Sequence, residues 1–401
     1  MPHDTTPAAV VALPYDLTRE IRSRIRETIE LVLEDELRAA LGAARSERVP
    51  TRSGYRNGSV TREVVTESGP HTLALPRARL FREDGSTQEW RSAVLDRYQR
   101  RTRQVDAAIL GVYVAGGNTR RIRRAISPLL GEKLLSKSAV SRLVQRLREL
   151  FDAWRRRDLS DLAITYVYLD AMFLPVRLAR RVVRVPVLAV IGVRDDGEKM
   201  LVSLAIAGSE SASSWKGVVD DLVRRGLRRP ALAIVDGNGG LLRALRDSWS
   251  DTRIQRCTKH KLENLLSKAP KHSHAELKRD YAEIIHAESL SGAHHARERF
   301  IRKWTLLSKE VVRSLEDAGE ELLSFYSFPK SQWKCLRTTN PLEAVNSAFR
   351  RRTKTQGAFP NEDAALVLLY ALFAAEQITL RKIDGWKDMK EVEVPGLQQV
   401  A

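Results

Sequence analysis

Apolar residues recur at two different spacings along this chain, and the switches between them divide it. Ile21, Ile25, Thr28, Ile29, Val32 and Leu33 fall at roughly helical spacing with Arg and Glu between them, which predicts a helix over 15–41. Residues 45–58 read as a polar, glycine-containing basic loop with Arg45, Arg48, Arg52 and Arg56. Two short alternating runs, 59–66 and 71–75, are split by Gly69-Pro70 and predict a hairpin. Arg77, Arg79 and Arg82 follow, then a polar linker over 83–88. Residues 89–157 read as all-helical. One helix, 103–115, is closed by Gly116-Gly117, and Asn118-Thr119 can cap a second that carries Arg120, Arg121, Arg123 and Arg124. Ser136-Lys137-Ser138 opens a third, with Val140, Leu143, Val144 and Leu147 on its apolar face. Short helix, turn and basic helix in that order predict a helix-turn-helix-like unit, with Ser138 and Arg142 joining the four arginines as candidate DNA contacts.

From residue 160 the spacing becomes that of strands, at 163–170, 182–193 and 200–207, with Arg194-Asp195-Asp196-Gly197-Glu198 as the turn between the last two. Ser213-Ser214-Trp215 begins an amphipathic helix to about Arg225. A fourth strand is expected at 231–236, a helix at 240–249 and a short fifth strand at 253–256. Three strands, helix, strand, helix, strand is the order of a ribonuclease-H-like α/β fold, in which the first and fourth strands lie side by side. After Lys259 the pattern is helical to about Ser327, and 342–352 and 363–381 are the last helices. The expected division is 1–88 (N-terminal helix and hairpin), 89–157 (helical DNA-binding domain), 158–260 (first part of a mixed-sheet catalytic core), 261–336 (all-helical insertion), 337–385 (C-terminal helices of the core) and a tail over 386–401.

Composition adds a partner. The 401 residues carry a net charge of +18, with a pI near 10.1, and 43% are hydrophobic. Such a charge attracts a polyanion, and nucleic acid comes first because each phosphate neutralised releases counterions. An anionic membrane surface is the rival, but no apolar run approaches the ~18 residues of a spanning helix. No secretory signal is read at the N-terminus, and two cysteines point to a reducing cytoplasm.

The candidate chemistry lies in three acids. Asp170 ends the run Ile164-Thr165-Tyr166-Val167-Tyr168-Leu169. Asp236 ends Leu232-Ala233-Ile234-Val235 and precedes Gly237-Asn238-Gly239-Gly240. Glu343 stands at a helix start in Thr338-Thr339-Asn340-Pro341-Leu342-Glu343. Alone, each has an ordinary reading: the aspartates as turn residues or caps, and Glu343 as the N3 member of a capping box with Asn340 at the N-cap and Pro341 at N1. Together, in that fold order, they match a site for two hard divalent cations, Mg²⁺ or in its place Mn²⁺. Cys257-Thr258-Lys259-His260 invites a zinc reading, but no second Cys/His pair of suitable spacing is near. A role in orienting the acids or contacting DNA competes with it. Arg337, Arg350, Arg351, Arg352 and Lys354 flank Glu343; they are either a solvated face or contacts to a substrate backbone.

Four segments carry a family resemblance: Tyr168-Leu169-Asp170-Ala171, Val235-Asp236-Gly237, Gln255-Arg256-Cys257-Thr258-Lys259-His260-Lys261, and Arg337-Thr338-Thr339-Asn340-Pro341-Leu342-Glu343. With Tyr55-Arg56-Asn57-Gly58 and Arg97-Tyr98-Gln99-Arg100-Arg101, they make the chain resemble the bacterial Mutator-type insertion-sequence transposases over roughly residues 20–385. The resemblance implies a DDE triad of Asp170, Asp236 and Glu343 and a Cys-x-x-His element of Cys257 and His260. Lys259 stands where family members often carry another residue. The resemblance also implies double-stranded DNA as partner, both inverted-repeat ends and target. With it come a dimer or larger assembly on DNA, and a place in the cytoplasm with the nucleoid. A transposase-derived DNA-binding protein without chemistry and a ribonuclease-H-like nuclease without strand transfer are the alternatives.

Overall fold

Leu33, Leu37 and Leu41 stand four residues apart on one helix, and their stripe builds the first core. The computed structural model describes residues 17–114, 137–353 and 357–392, and the chain falls into two compact units, Met1–Val144 and Gln145–Ala401. In the first unit, helix α1 (Leu17–Leu41) lies on an antiparallel sheet of β1 (Gly54–Thr66), β2 (Gly69–Phe81) and β3 (Thr87–Glu89) in the order β1-β2-β3. Leu33 packs with Val64, Leu73 and Leu75, and Leu37 and Leu41 with Ala78. Ile21 and Val32, expected on the apolar stripe, are exposed; the stripe that is buried runs through the helix's C-terminal half.

The hairpin is longer than the alternating runs predict. β1 begins inside the expected basic loop, and β3 occupies the expected polar linker, because ladder hydrogen bonds extend under a solvated face whatever its side chains. Residues 89–157 are not wholly helical: helix begins only at α2 (Arg103–Val114). The segment before it is held along β1, with Val65 N–H donating to Arg100 C=O at 2.9 Å and Thr102 N–H to Val65 C=O at 2.9 Å. The expected second helix, with Arg120, Arg121, Arg123 and Arg124, lies outside the described residues. The division between the units falls inside α3 (Lys137–Arg156).

The second unit is built on a mixed sheet of β4 (Ile164–Leu178), β5 (Arg181–Arg194), β6 (Lys199–Ile206), β7 (Leu232–Val235) and β8 (Arg253–Arg256). The order is β6-β5-β4-β7-β8, so the first and fourth strands of this unit are neighbours, as expected. β5 and β6 run antiparallel in the ladder; β7 and β8 run parallel to β4. One face carries α4 (Ala212–Arg224) and α5 (Gly239–Ser248). There Trp215, Val219, Leu222, Leu241 and Leu245 pack on Val167, Leu169, Ala233 and Val235. On the alternate positions, Tyr166 and Tyr168 are fully buried, with their hydroxyls donating to Gln332 Oε1 (2.5 Å) and Cys335 C=O (3.1 Å). With both faces covered, these strands read as unbroken apolar runs.

After β8 come α6 (Thr258–Lys268), α7 (His274–Ile285), α8 (Leu290–Leu307) and α9 (Lys309–Ala318), then 3-10 turns and the short α10 (Trp333–Leu336). Trp304 is fully buried, its Nε1 donating to Asp280 at 2.8 Å, and Trp333 packs edge-on against Phe325 and Tyr326. Both are packing residues. The chain closes with α11 (Asn340–Thr353) and α12 (Glu362–Ala374), the latter against β4 and β6 and shorter than the expected 363–381. Among the described residues no helix is long and apolar enough to cross a membrane.

Gln255 joins the edge strand β8 to the end of the helical segment. Fully buried, its Nε2 donates to Leu322 C=O (2.9 Å) and its Oε1 accepts Phe325 N–H (2.8 Å). Gln255→Leu leaves both backbone groups without partners, at about 1–3 kcal/mol each. Urea unfolding should show a loss of roughly 2–5 kcal/mol; a loss under about 1 kcal/mol would mean that the two segments are held together by other contacts.

Candidate active site

The parallel ladder between β4 and β7 stops at the pair Leu169–Val235. Asp170 and Asp236 are the next residues on each strand and so emerge side by side. β8 continues the level: its last pair is Val235–Arg256, and Cys257 N–H donates to Val235 C=O at 2.6 Å. Asp170 does not end its strand, as the sequence reading had it. β4 runs on to Leu178 with β5 as partner, and only the parallel neighbour stops. After Asp236 the chain turns at Gly237, whose φ of 94° suits glycine and over which the Arg256 guanidinium lies. Asp236 Oδ1 accepts Asn238 N–H (2.8 Å), and Asn238 in turn caps α5.

Burial, then the neighbouring Asp236 carboxylate, pushes the Asp170 pKa up to about 7. Asp170 accepts hydrogen bonds from Ala171 N–H (2.8 Å) and from Asn346 Nδ2 (3.2 Å). Asn346 lies three residues after Glu343 on α11, one turn along the same helix face. That contact brings the Glu343 face of α11 to Asp170. Glu210 is a fourth acid here, its pKa raised by burial and by Asp236.

Glu343 is not part of a capping box. Its N–H donates to Thr339 C=O at 3.0 Å, the first bond of the helix, so Thr339 is the N-cap and Asn340, which is exposed, is N1. The Thr339 hydroxyl and N–H point at Cys257 Sγ (3.5 and 3.4 Å), 82 positions away. Glu343 instead takes a hydrogen bond and ion pair from Lys259 Nζ through Oε2, while Oε1 is buried without a hydrogen-bond partner and lies 3.8 Å from His260 Nε2.

Cys257 is fully buried. Burial alone would raise its pKa, but donors from His260 and Thr339 outweigh this and lower it. The nearby sulfur is the main reason that the His260 pKa rises to about 9; burial opposes it, and Asp170 and Asp236 add to it. The alignment is poor, for His260 Nδ1 makes no well-formed hydrogen bond.

Two donor sets could hold a metal. Cys257, His260 and Glu343 place ligand atoms within 4.8 Å of one another. Yet the sulfur already accepts from Thr339, Lys259 already bonds Glu343, and the His260 pKa is raised to about 9, so a cation here displaces partners already in place. Asp170 and Asp236, with the unpartnered Oε1 of Glu343 and Oδ1 of Asn346, offer the harder donor set: adjacent carboxylates of which one is held with a raised pKa despite His260 nearby.

The other candidate residues are dispersed. Arg337 is half-buried and anchored, with Nη1 donating to Ile285 C=O and to His286 Nδ1 (both 3.2 Å). Arg142, Arg350 and Arg351 are exposed. The side chains of Ser138 and Arg352, and the whole of Lys354, lie outside the described residues. Lys259, Asn346 and Glu210 were not singled out as site residues by sequence. For Asn346 a signal existed, the three-residue spacing from Glu343, and for Lys259 the departure from the family pattern; for Glu210 there was none.

The sequence profile described as "Transposase, Mutator family" matches residues 10–380. The chain belongs to the Mutator family of transposases. It is 32% identical over 368 residues to the transposase for insertion sequence element ISRM5 of Rhizobium meliloti (strain 1021), covering 92% of this chain and 90% of that protein. The transposase for IS256 in transposon Tn4001 of Staphylococcus aureus is 29% identical over 363 residues (90% and 91%). That for IS1081 of Mycobacterium tuberculosis is 31% identical over 357 residues (89% and 84%). The family match thus spans both units, including all three acids.

The raised pKa of Asp170 has a consequence for stability. Unfolded, the group ionises near 4; folded, near 7. The metal-free fold therefore carries a penalty that grows as pH rises between those values and is complete above about 7. Asp170→Asn removes it. At pH 8 without metal the variant should melt several degrees above the wild type, at about 2–4 °C per kcal/mol, and the gap should close by about pH 4. Mg²⁺ should raise only the wild-type Tm; an equal Mg²⁺ shift in both proteins would place the cation elsewhere.

Proposed function

We propose that this chain is the DNA transposase of a bacterial insertion sequence, with a ribonuclease-H-like catalytic core and Asp170, Asp236 and Glu343 as its DDE triad. The observation that carries the reading is the pair of carboxylates side by side where the β4–β7 ladder ends, with the α11 face that bears Glu343 turned toward them. The strand order, with the first and fourth strands adjacent, supports the fold reading.

Asp170 and Asp236 would hold Mg²⁺ or Mn²⁺, and Glu343 would complete the set. When bound, such a pair of ions activates an attacking oxygen and stabilises the departing one. The chain's own groups do the rest. The basic surface draws in the DNA backbone. His260, positively charged beside the acids, and Lys259, paired with Glu343, keep the carboxylates from repelling an incoming phosphate. In cleavage, water attacks phosphorus and the bond to the 3′ oxygen breaks, leaving a 3′-hydroxyl and a 5′-phosphate. In strand transfer, that 3′ oxygen attacks a target phosphodiester, and the displaced target 3′ oxygen takes up the proton. Joining two inverted-repeat ends needs two such sites, so the active form is a homodimer or larger on DNA.

One observation favours a second reading, a DNA-binding protein without chemistry: Lys259 occupies a Glu343 oxygen. A single experiment separates the readings. Labelled end DNA, target plasmid and Mg²⁺ are incubated with wild type, Glu343→Gln and Lys259→Ala. The transposase reading expects joined product from wild type and a loss of at least ~10³-fold in Glu343→Gln, about 4 kcal/mol, with end binding unchanged. Cut but unjoined product means a nuclease. Activity in Lys259→Ala alone means a silenced copy. Joining by Glu343→Gln would remove Glu343 from the site.

A further inference from the structure

Beyond Asp170, strands β4 and β5 leave the sheet as a two-stranded ribbon. β7 pairs with β4 only to Leu169, and β6 pairs with β5 only from Val187 onward. Among the described residues, 173–178 and 181–186 thus pair as strands only with each other, apart from a bridge between Val176 and Phe359 and a hydrogen bond from Ala207 N–H to Pro186 C=O. One face of the ribbon is covered: Met172, Leu174, Val176 and Val185 are buried. The opposite face is open, with Phe173 41% and Val182 55% exposed beside exposed Arg177 and Arg184.

Arg177, Arg180, Arg181 and Arg184 crowd the ribbon's free end. None makes a side-chain hydrogen bond or ion pair with a described residue. The turn is built against local preference. Leu178 pairs with Arg181, and the two residues between them, Ala179 (φ 44°) and Arg180 (φ 69°), both take the left-handed conformation that a two-residue hairpin turn asks of Asn or Gly. An alanine and an arginine there are strained, and such strain concentrates at functional positions.

We infer that this arginine ribbon is a second DNA-binding site, one that enters the major groove of the same duplex that is cut at Asp170. A two-stranded ribbon fits that groove, and guanidinium groups pair with phosphates or guanine edges. The strand itself sets the distance. Arg177 lies seven residues beyond Asp170 on one continuous strand, so at ~3.3 Å per residue it is ~23 Å away. At about 3.4 Å per base pair that spans up to about seven base pairs from the scissile phosphate. The inference rests on the transposase reading for the position of that phosphate.

The test uses the full chain on a duplex carrying the element's terminal repeat, read by hydroxyl-radical footprinting and by affinity across a salt series. The proteins are wild type, Arg177→Ala/Arg184→Ala, Arg177→Lys/Arg184→Lys, and Arg243→Ala on α5 as an off-ribbon control. Wild type should protect a patch within about seven base pairs of the cut. The double alanine variant should lose that patch alone, and its slope of log affinity against log salt should shallow by ~1.8, at ~0.9 per phosphate. The lysine variant should keep the slope, and the control should keep both. Unchanged protection and slope in the double alanine variant overturn the inference, as does an equal loss in Arg243→Ala. A wild type that cuts and joins while the alanine variant footprints normally sinks the ribbon alone. Ribbon-dependent protection by a wild type that never cuts sinks the transposase reading and leaves the ribbon standing.

Discussion

Two parallel strands that stop at the same level are the constraint on which the site depends. Because β7 pairs with β4 no further than Leu169–Val235, two carboxylates 66 positions apart in the chain emerge next to each other. Burial and mutual repulsion then raise the Asp170 pKa to about 7. That electrostatic cost, offset in part by His260, is one that a bound cation would relieve, and it supports the proposed metal site.

The third acid is positioned by a different bond. Cys257 ends the β8 level and accepts hydrogen bonds from Thr339, the residue that starts α11. Thr258 adds two more, its N–H and hydroxyl both donating to Arg337 C=O at 2.9 and 3.0 Å. A short segment from the end of β8 therefore holds the start of the helix that bears Glu343 and Asn346. Cys257 thus accepts hydrogen bonds from the start of α11, and His260, its pKa raised by that sulfur and by Asp170 and Asp236, stands beside the acids.

Much of this was legible in sequence, and the failures have physical causes. The buried runs before Asp170 and Asp236 were readable because both faces of those strands are covered, and the element order placed them together. The end of β4 was misread because 171–178 contains Pro175 and alternates with exposed Phe173 and Arg177, a pattern that resembles a strand's exit more than its continuation. Asn340-Pro341 looks locally like an N-cap followed by N1. What draws the cap to Thr339 is a sulfur far away in sequence, which no local pattern contains. Arg337, a candidate for the substrate backbone, is tied to the end of α7 through Ile285 and His286, a long-range contact that no local pattern contains. Asn346 was within reach, since a polar residue one turn from a candidate ligand shares its helix face.

The end of the β4–β7 ladder, as proposed, holds two cations. A crystal structure with Mn²⁺ and end DNA, read by the anomalous scattering of manganese, tests it most directly. Two manganese peaks should appear roughly 4 Å apart, bounded by Asp170 and Asp236, with Glu343 turned from Lys259 toward one of them. No manganese at Asp170, or a single ion held by Cys257, His260 and Glu343, would contradict it.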